Sequence, residues 1–136
     1  MKKILFIILP LIVGTFLTSC SKKAPVEAPE EELKIAANPA IGSDVVGALA
    51  NSYSFKLLIN SKPPKAGVKV DISLKNDLDN SVSFTQSTQT SSSTVSSIDL
   101  QIANLIPGNL YSASIVVTSL SKSTNKAQLD FKIARK

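Results

Sequence analysis

Apolar and polar side chains alternate along most of the chain from Leu33 onward. The alternation is clearest in five runs, at 53–59, 68–74, 98–102, 111–117 and 127–133. Because successive side chains of a β-strand point to opposite faces of its sheet, each run predicts a strand with one apolar face. A shorter run at Val82 and Phe84 predicts one more strand.

Turn-forming residues separate these runs. The segment 61–67 contains Pro63, Pro64 and Gly67, which do not fit the middle of a sheet. Further turns are predicted at 76–80, 107–109 and 122–126. Many short strands with frequent turns predict an all-β fold, a single antiparallel β-sandwich over residues 33–136.

The segment before the alternation is predicted to be a flexible tether. Residues 21–32 read SKKAPVEAPEEE, with four glutamates and no aromatic residue. Such a segment buries too little apolar surface to offset its ordering entropy, and its prolines favour extended conformations. Twelve residues at about 3.1 Å each would span about 37 Å. A sorting or docking signal in its charges is the alternative. Beyond the tether, residues 33–37 fit a first strand, and residues 45–50 fit either a strand or a short helical turn.

The N-terminus has the organisation of a secretion signal. Lys2 and Lys3 precede an apolar run of 14 residues, from Ile4 to Leu17. This length matches the apolar region of a signal peptide and is shorter than the roughly 20 residues that a membrane-spanning helix needs. Residues 1–19 are therefore excluded from the predicted fold.

The four residues that end this segment, Leu17-Thr18-Ser19-Cys20, resemble the lipobox of bacterial lipoproteins. The resemblance implies cleavage between Ser19 and Cys20 and a lipid on Cys20, so that residues 20–32 are a lipidated cysteine and its tether. Ser21 stands where an Asp commonly retains Gram-negative lipoproteins in the inner membrane, which favours the outer membrane. Two or three acyl chains would hold the protein durably, since each buried methylene contributes about 0.8 kcal/mol. The alternative is an ordinary signal peptide with an incidental cysteine.

Residues 105–111, LIPGNLY, are similar to the L-x-P-G-x-x-Y segment of fibronectin type III domains. The resemblance implies an immunoglobulin-like sandwich in which Leu105, Pro107 and Gly108 lead into a strand that starts at Tyr111. It also implies that Tyr111 forms a tyrosine corner, with its hydroxyl bonded to upstream backbone. The chain departs from that family because it has no tryptophan, which those domains usually carry on their second strand.

Composition argues against an enzyme. The 136 residues include no His and one Cys, so Ser-His-Asp triads and Cys-His pairs are impossible. No glycine-rich phosphate-binding motif occurs. Neither a cofactor nor a small-molecule substrate is predicted. Asp77 and Asp79 could offer oxygen ligands to Ca²⁺, but an Asx-rich hairpin turn is the preferred interpretation of these two residues.

A hydroxyl-rich tract occupies residues 81–97, where 12 of 17 residues are Ser or Thr. Three interpretations are open: polar strand ends joined by a loop, a surface for a polar partner or glycan, and a site for O-linked sugars. After removal of the signal, the five remaining aromatic residues all fall on predicted inward faces. That placement disfavours stacking on sugars or on nucleic-acid bases.

The formal net charge of +5 divides unevenly along the chain. Residues 33–136 carry eleven Lys or Arg and six Asp or Glu, whereas the tether carries two Lys and four Glu. A basic domain could attract anionic lipids or acidic glycans. Lysines also keep sheet edges from pairing, and solubility with edge protection is the preferred interpretation.

Taken together, the sequence predicts a non-enzymatic lipoprotein of the cell envelope. Its expected contacts are the membrane, through the lipid on Cys20, and a protein partner in the envelope, with no nucleic acid. The alternative is an adhesive or ligand-binding module for a polysaccharide or a host protein. The orientation, toward the periplasm or the cell surface, is left open.

Overall fold

The computed structural model of the chain describes residues 28–42 and 44–136, except for the side chains of 87–89. Its regular elements are eight β-strands, and the described part contains no helix. The strands are β1 (Ile35–Asn38), β2 (Val46–Ala48), β3 (Tyr53–Ile59), β4 (Val68–Asn76), β5 (Val82–Ser91), β6 (Ser97–Ile102), β7 (Leu110–Ser119) and β8 (Lys126–Arg135). The predicted all-β fold is confirmed, and the ambiguous segment 45–50 contains a short strand.

The strands form two sheets. The smaller sheet has the order β1-β3-β6 and is antiparallel throughout. The larger sheet has the order β2-β8-β7-β4-β5. The prediction of a wholly antiparallel fold is wrong at one pair, because β2 runs parallel to β8, with Val46 opposite Ile133. The chain changes sheet between β1 and β2 without reversing its direction, and hydrophobic alternation carries no information about strand direction.

One hydrophobic core lies between the two sheets. Each sheet contributes the apolar face of its strands, as the alternation of Leu57 and Ile59 in β3 and of Ile72 and Leu74 in β4 requires. Across the interface, the rings of Phe55 in β3 and Phe131 in β8 meet edge-on with centroids 6.0 Å apart. All five aromatic side chains of the described region pack in or against this core, in a sandwich-like arrangement.

The strand directions give the domain two ends. The N-terminal segment joins the end that we call the tether pole, which also carries the β3–β4, β5–β6 and β7–β8 loops (60–67, 92–96 and 120–125). The opposite end, the distal pole, carries the β2–β3, β4–β5 and β6–β7 loops (49–52, 77–81 and 103–109) and the end of β8. The register that pairs Leu110 with Ala134 and Asn76 with Tyr111 brings the distal strand ends to one level.

The N-terminal segment is bound to the tether pole through Asn125. The Asn125 Nδ2 donates to Glu30 Oε1 at 2.6 Å and to the Glu31 carbonyl at 2.8 Å, and its Oδ1 accepts from the Leu33 N–H at 2.9 Å. The Ser119 Oγ donates to the other Glu30 oxygen at 3.0 Å. Among the described residues, hydrogen bonds between this segment and the domain therefore begin at Glu30, inside the segment predicted as a tether. The sequence does not reveal them, because the partners of Glu30 lie about ninety positions away.

Candidate functional site

Large apolar side chains are exposed on all three loops of the distal pole, and Val82 at the start of β5 is exposed beside them. Leu49 in the β2–β3 loop is 88% exposed, Leu78 in the β4–β5 loop 80%, and Ile106 in the β6–β7 loop 58%. A single exposed apolar side chain is ordinary on a protein surface. Leu49, Leu78 and Ile106 stand on three loops of one pole, which makes this pole the candidate contact surface.

Backbone hydrogen bonds connect these three loops to one another. The Leu105 N–H donates to the Asn51 carbonyl, which ties the β6–β7 loop to the β2–β3 loop. The Asp77 N–H donates to the Leu110 carbonyl, which ties the β4–β5 loop to the start of β7. The Lys136 N–H donates to the Ala48 carbonyl beside Leu49. Each of these bonds is 2.9 Å long, so the backbone segments that carry the apolar side chains are hydrogen-bonded to their neighbours at this pole.

The β6–β7 loop is closed by Tyr111. Its side chain is fully buried, and its hydroxyl oxygen accepts from the Ile106 N–H at 3.1 Å. Gly108 has a φ of 81°, in the left-handed region that glycine adopts without steric cost. Leu105 is 1% exposed, so Leu105, Pro107, Gly108 and Tyr111 share one turn, anchored by its buried residues, that leaves Ile106 outside.

The β4–β5 loop is a tight polar turn with Leu78 at its tip. The Asn76 Oδ1 accepts from the Leu78 N–H, and the Asp79 Oδ1 accepts from the Ser81 N–H, each at 2.9 Å. Asn80 completes the turn with a φ of 58°. Asn and Asp favour such turns because their side chains bond to backbone two residues ahead.

The two aspartates of this turn already have protein partners. The Asp77 carboxylate accepts from the Ser112 Oγ at 2.6 Å and pairs with the Lys132 Nζ. The Asp79 carboxylate accepts a hydrogen bond from the Ser81 N–H. Within residues 28–42 and 44–136, no group of three or more His, Cys, Asp or Glu is placed to hold a metal ion. The aspartates act as turn and pairing residues at this pole.

The hydrogen bond from Lys132, aided by that from Ser112, holds the pKa of Asp77 below its ordinary value. A depressed pKa in the folded state means that the ionised carboxylate favours folding. This stability is present above the pKa of the unfolded chain and is lost as the pH falls through the folded pKa. We therefore expect Asp77→Asn to flatten the loss of stability as the pH falls below about 4, measured by urea denaturation. Asp99→Asn, in the exposed pair with Lys56, controls for the loss of one carboxylate. An acid limb that Asp77→Asn leaves as steep as in the wild type would contradict the expectation.

A depression of about 660 Å³ on the smaller sheet is a weaker candidate site. Lys56, Asp99 and Gln101 contribute polar groups to its lining. The Lys56 Nζ lies 2.6 Å from the Asp99 Oδ1, so the two charges neutralise each other. Gln101 bonds to Ser54 at 3.3 Å. Lys56, Asp99 and Gln101 therefore have partners within the protein, whereas the Oε1 of Gln86, which also lines the depression, is buried without a hydrogen-bond partner.

The hydroxyl-rich tract 81–97 forms β5, the loop 92–96 and the first residue of β6. Its course agrees with the interpretation as polar strands joined by a loop. In the larger sheet β5 pairs with β4 alone, with two register shifts that interrupt its ladder. Such irregularities reduce the tendency of an edge strand to pair with another chain. The glycan and O-linked sugar interpretations remain predictions.

The proposed lipidation site and cleavage site, Cys20 and Ser19, lie outside the described residues, so the anchor remains a prediction. In the part of the chain that the structure describes, no helix is long and apolar enough to cross a membrane. Compared with protein-family models, with curated proteins and with solved structures, the chain matches none. Its function is therefore inferred from the arrangement of its own residues.

The three exposed apolar residues were not singled out from the sequence. Two of them left a signal there. Leu78 is the single apolar residue of the turn NDLDN, and Ile106 directly follows Leu105, so the two cannot both face inward in an extended chain. The sequence contains no comparable signal for Leu49, because segment 45–50 fitted either a strand or a short helical turn.

Proposed function

We propose that this protein is a lipid-anchored, non-enzymatic component of the bacterial cell envelope that presents its distal pole to a protein partner. One observation carries the proposal: the N-terminal segment is bound at one pole, and the exposed Leu49, Leu78 and Ile106 lie at the opposite one. Anchored through Cys20, the domain would hold this surface away from its own membrane.

The dimensions of the chain support this role. Residues 21–29, between the predicted lipid and the bound Glu30, would span about 28 Å when extended. The ten residues of β7 add about 33 Å along the domain. The distal pole would then reach up to about 60 Å from the anchoring bilayer. That distance suits a contact with another envelope component. Ser21 favours the outer membrane by the resemblance given above.

We also propose that the fold is an immunoglobulin-like sandwich whose nearest family is fibronectin type III. The sheet orders β1-β3-β6 and β2-β8-β7-β4-β5 support it, because consecutive strands are distributed between two facing sheets. The bond from the Ile106 N–H to the Tyr111 hydroxyl supports a tyrosine corner. The lack of tryptophan is the departure from that family.

A protein partner is favoured over a polysaccharide. Sugar sites commonly need an exposed aromatic ring, and the aromatic side chains of the described region pack in or against the core. The distal pole instead offers aliphatic side chains. These gain free energy when a protein surface covers them, at about 25 cal/mol per Å² of apolar area.

The anchor is tested by metabolic labelling with a fatty acid. We expect label on the wild type and on Ser19→Ala, which keeps a small residue before the cysteine, and none on Cys20→Ala. Ser21→Asp should shift the protein toward the inner membrane of a Gram-negative host, as measured by membrane fractionation. An unlabelled wild type, or label that persists on Cys20→Ala, would contradict the proposed anchor.

A further inference from the structure

The charges around the distal apolar side chains differ from one side of the pole to the other. On the side of β2 and β8, Arg135 and Lys136 lie next to Leu49, since the Lys136 N–H bonds to Ala48. On the side of the β4–β5 loop, the exposed Asp79 directly follows Leu78, whereas Asp77 on its other side is paired with Lys132. Strands β8 and β4 are separated only by β7, so their distal ends are about 10 Å apart.

We infer that the distal pole docks a protein surface with an apolar centre, an acidic side that meets Lys136 and a basic side that meets Asp79. The inference rests on the proposed function and specifies its partner. Charges of opposite sign on two sides of an apolar patch admit one orientation of the partner and repel the reversed one. The apolar side chains supply the affinity, and the charges supply the orientation.

A lipid surface is a poorer occupant of this pole. Insertion of Leu78 into a bilayer would carry the carboxylates of Asp77 and Asp79 with it, because the hydrogen bonds of the turn fix them beside it. An ionised carboxylate is costly within the hydrocarbon region. The aromatic side chains nearest this pole do not extend from it as membrane-interface anchors would, since Tyr111 is fully buried and Tyr53 packs against the core.

A second copy of the chain is also a poorer occupant. If Glu30 holds the N-terminal segment at the tether pole, copies anchored in one membrane direct their distal poles away from that membrane. A face-to-face contact between two such poles would need opposite directions, as a twofold axis between facing surfaces requires. The geometry points to a different chain that extends over the distal pole.

Site-specific photocrosslinking of the full-length protein in its native membranes tests the inference. A benzophenone side chain replaces Leu49, Leu78 or Ile106, one at a time. Leu120 is the matched control, because it is an apolar side chain, 47% exposed, at the tether pole. We expect the three distal positions to give one protein adduct of the same mass and Leu120 to give none.

Charge variants then test the partner's chemistry. In the protein with the crosslinker at Ile106, we expect Lys136→Glu and Asp79→Lys each to lower the adduct yield by about threefold or more. Asp79→Asn keeps an oxygen acceptor for Ser81 and separates the loss of charge from damage to the turn. Lys122→Glu at the tether pole is the matched control and should leave the yield unchanged. Unfolding curves identify any variant that fails to fold.

Several outcomes would overturn the inference. A lipid adduct at the distal positions would make the occupant a bilayer, and an adduct of two copies of this chain would make it a homotypic contact. Equal adduct yields at Leu120 and at the distal positions would show that no docking surface exists there. Adduct yields that stay the same in the charge variants would show that docking is not oriented by these charges. The outcomes separate the proposals: a distal adduct whose yield is the same in the charge variants refutes this inference alone, a fatty-acid-labelled protein without a distal adduct refutes the distal contact, and an unlabelled wild type refutes the anchor.

Discussion

Replacement of Gly67 by alanine is expected to destabilise the protein by about 2–5 kcal/mol. Gly67 has a φ of 85°, and a Cβ at this position would lie 1.7 Å from the Ser91 carbonyl oxygen. The left-handed backbone costs an alanine about 1–2 kcal/mol, and relief of the overlap adds about 1–3 kcal/mol or more, as in overpacked cores. The overlapping atoms are backbone, so no side-chain rotation can relieve the clash.

The position of Gly67 explains why the backbone cannot yield easily. Its N–H donates to the Pro64 carbonyl at 2.9 Å, and its carbonyl accepts from the Leu120 N–H at 3.0 Å. Gly67 thus joins the β3–β4 loop to the β7–β8 loop at the tether pole while the end of β5 lies against it. A shift at Gly67 would disturb all three segments.

Urea denaturation of wild type and variant measures the loss, and Gly108→Ala is the matched control. Gly108 has a similar φ of 81°, but a Cβ there would meet nothing within 4 Å. Its replacement should cost about 1–2 kcal/mol, the conformational part alone. Equal losses for the two variants would contradict the close approach of Ser91 to Gly67.

Replacement of Asn125 by alanine is expected to cost about 3 kcal/mol. The side chain is 8% exposed and makes three hydrogen bonds to the N-terminal segment, with Glu30, Glu31 and Leu33. A hydrogen bond contributes about 1 kcal/mol net, and a buried N–H left without an acceptor costs about 1–3 kcal/mol. The Leu33 N–H would be left in that state, because Leu33 is 5% exposed.

Asn60→Ala is the matched control, since Asn60 is an exposed asparagine at the same pole. A double-mutant cycle sharpens the test. We expect Asn125→Ala and Glu30→Ala to lose less together than the sum of their single losses, because they share the 2.6 Å hydrogen bond. Glu32→Ala should add independently to Asn125→Ala. Strictly additive losses for the first pair would contradict the binding of the N-terminal segment at this pole.

The bound segment bears on the proposed function as well. If Glu30 stays bound to Asn125 and Ser119, the predicted tether is attached to the domain at one fixed point, residue 30. Asn125→Ala would then lengthen the tether and loosen the orientation of the distal pole without touching its surface.

Strand positions could be predicted because hydrophobic alternation is a local property with a period of two. The run 53–59 coincides with β3, and the run 68–74 lies within β4. Of any two consecutive strand residues, one side chain faces the core. Leu57 and Leu74 could therefore be placed inward from the sequence alone. The same reasoning placed the five aromatic side chains.

The candidate site could not be predicted in the same way. Leu49, Leu78 and Ile106 are spread over 57 positions of the chain, and their shared pole follows from which strand ends meet. The parallel pairing of β2 with β8 escaped prediction for a related reason, because alternation is the same for both strand directions.

The sequence by itself therefore determined the all-β class and most of the strands with their inward faces, since each depends on neighbours one or two positions apart, whereas it left segment 45–50 open. Only the tertiary structure decided which residues meet at the two ends of the domain. It brought Glu30 onto Asn125 across 95 positions, and it gathered three exposed apolar side chains at the opposite pole. Contacts of that range depend on sheet order and strand direction, which local patterns of polarity do not record.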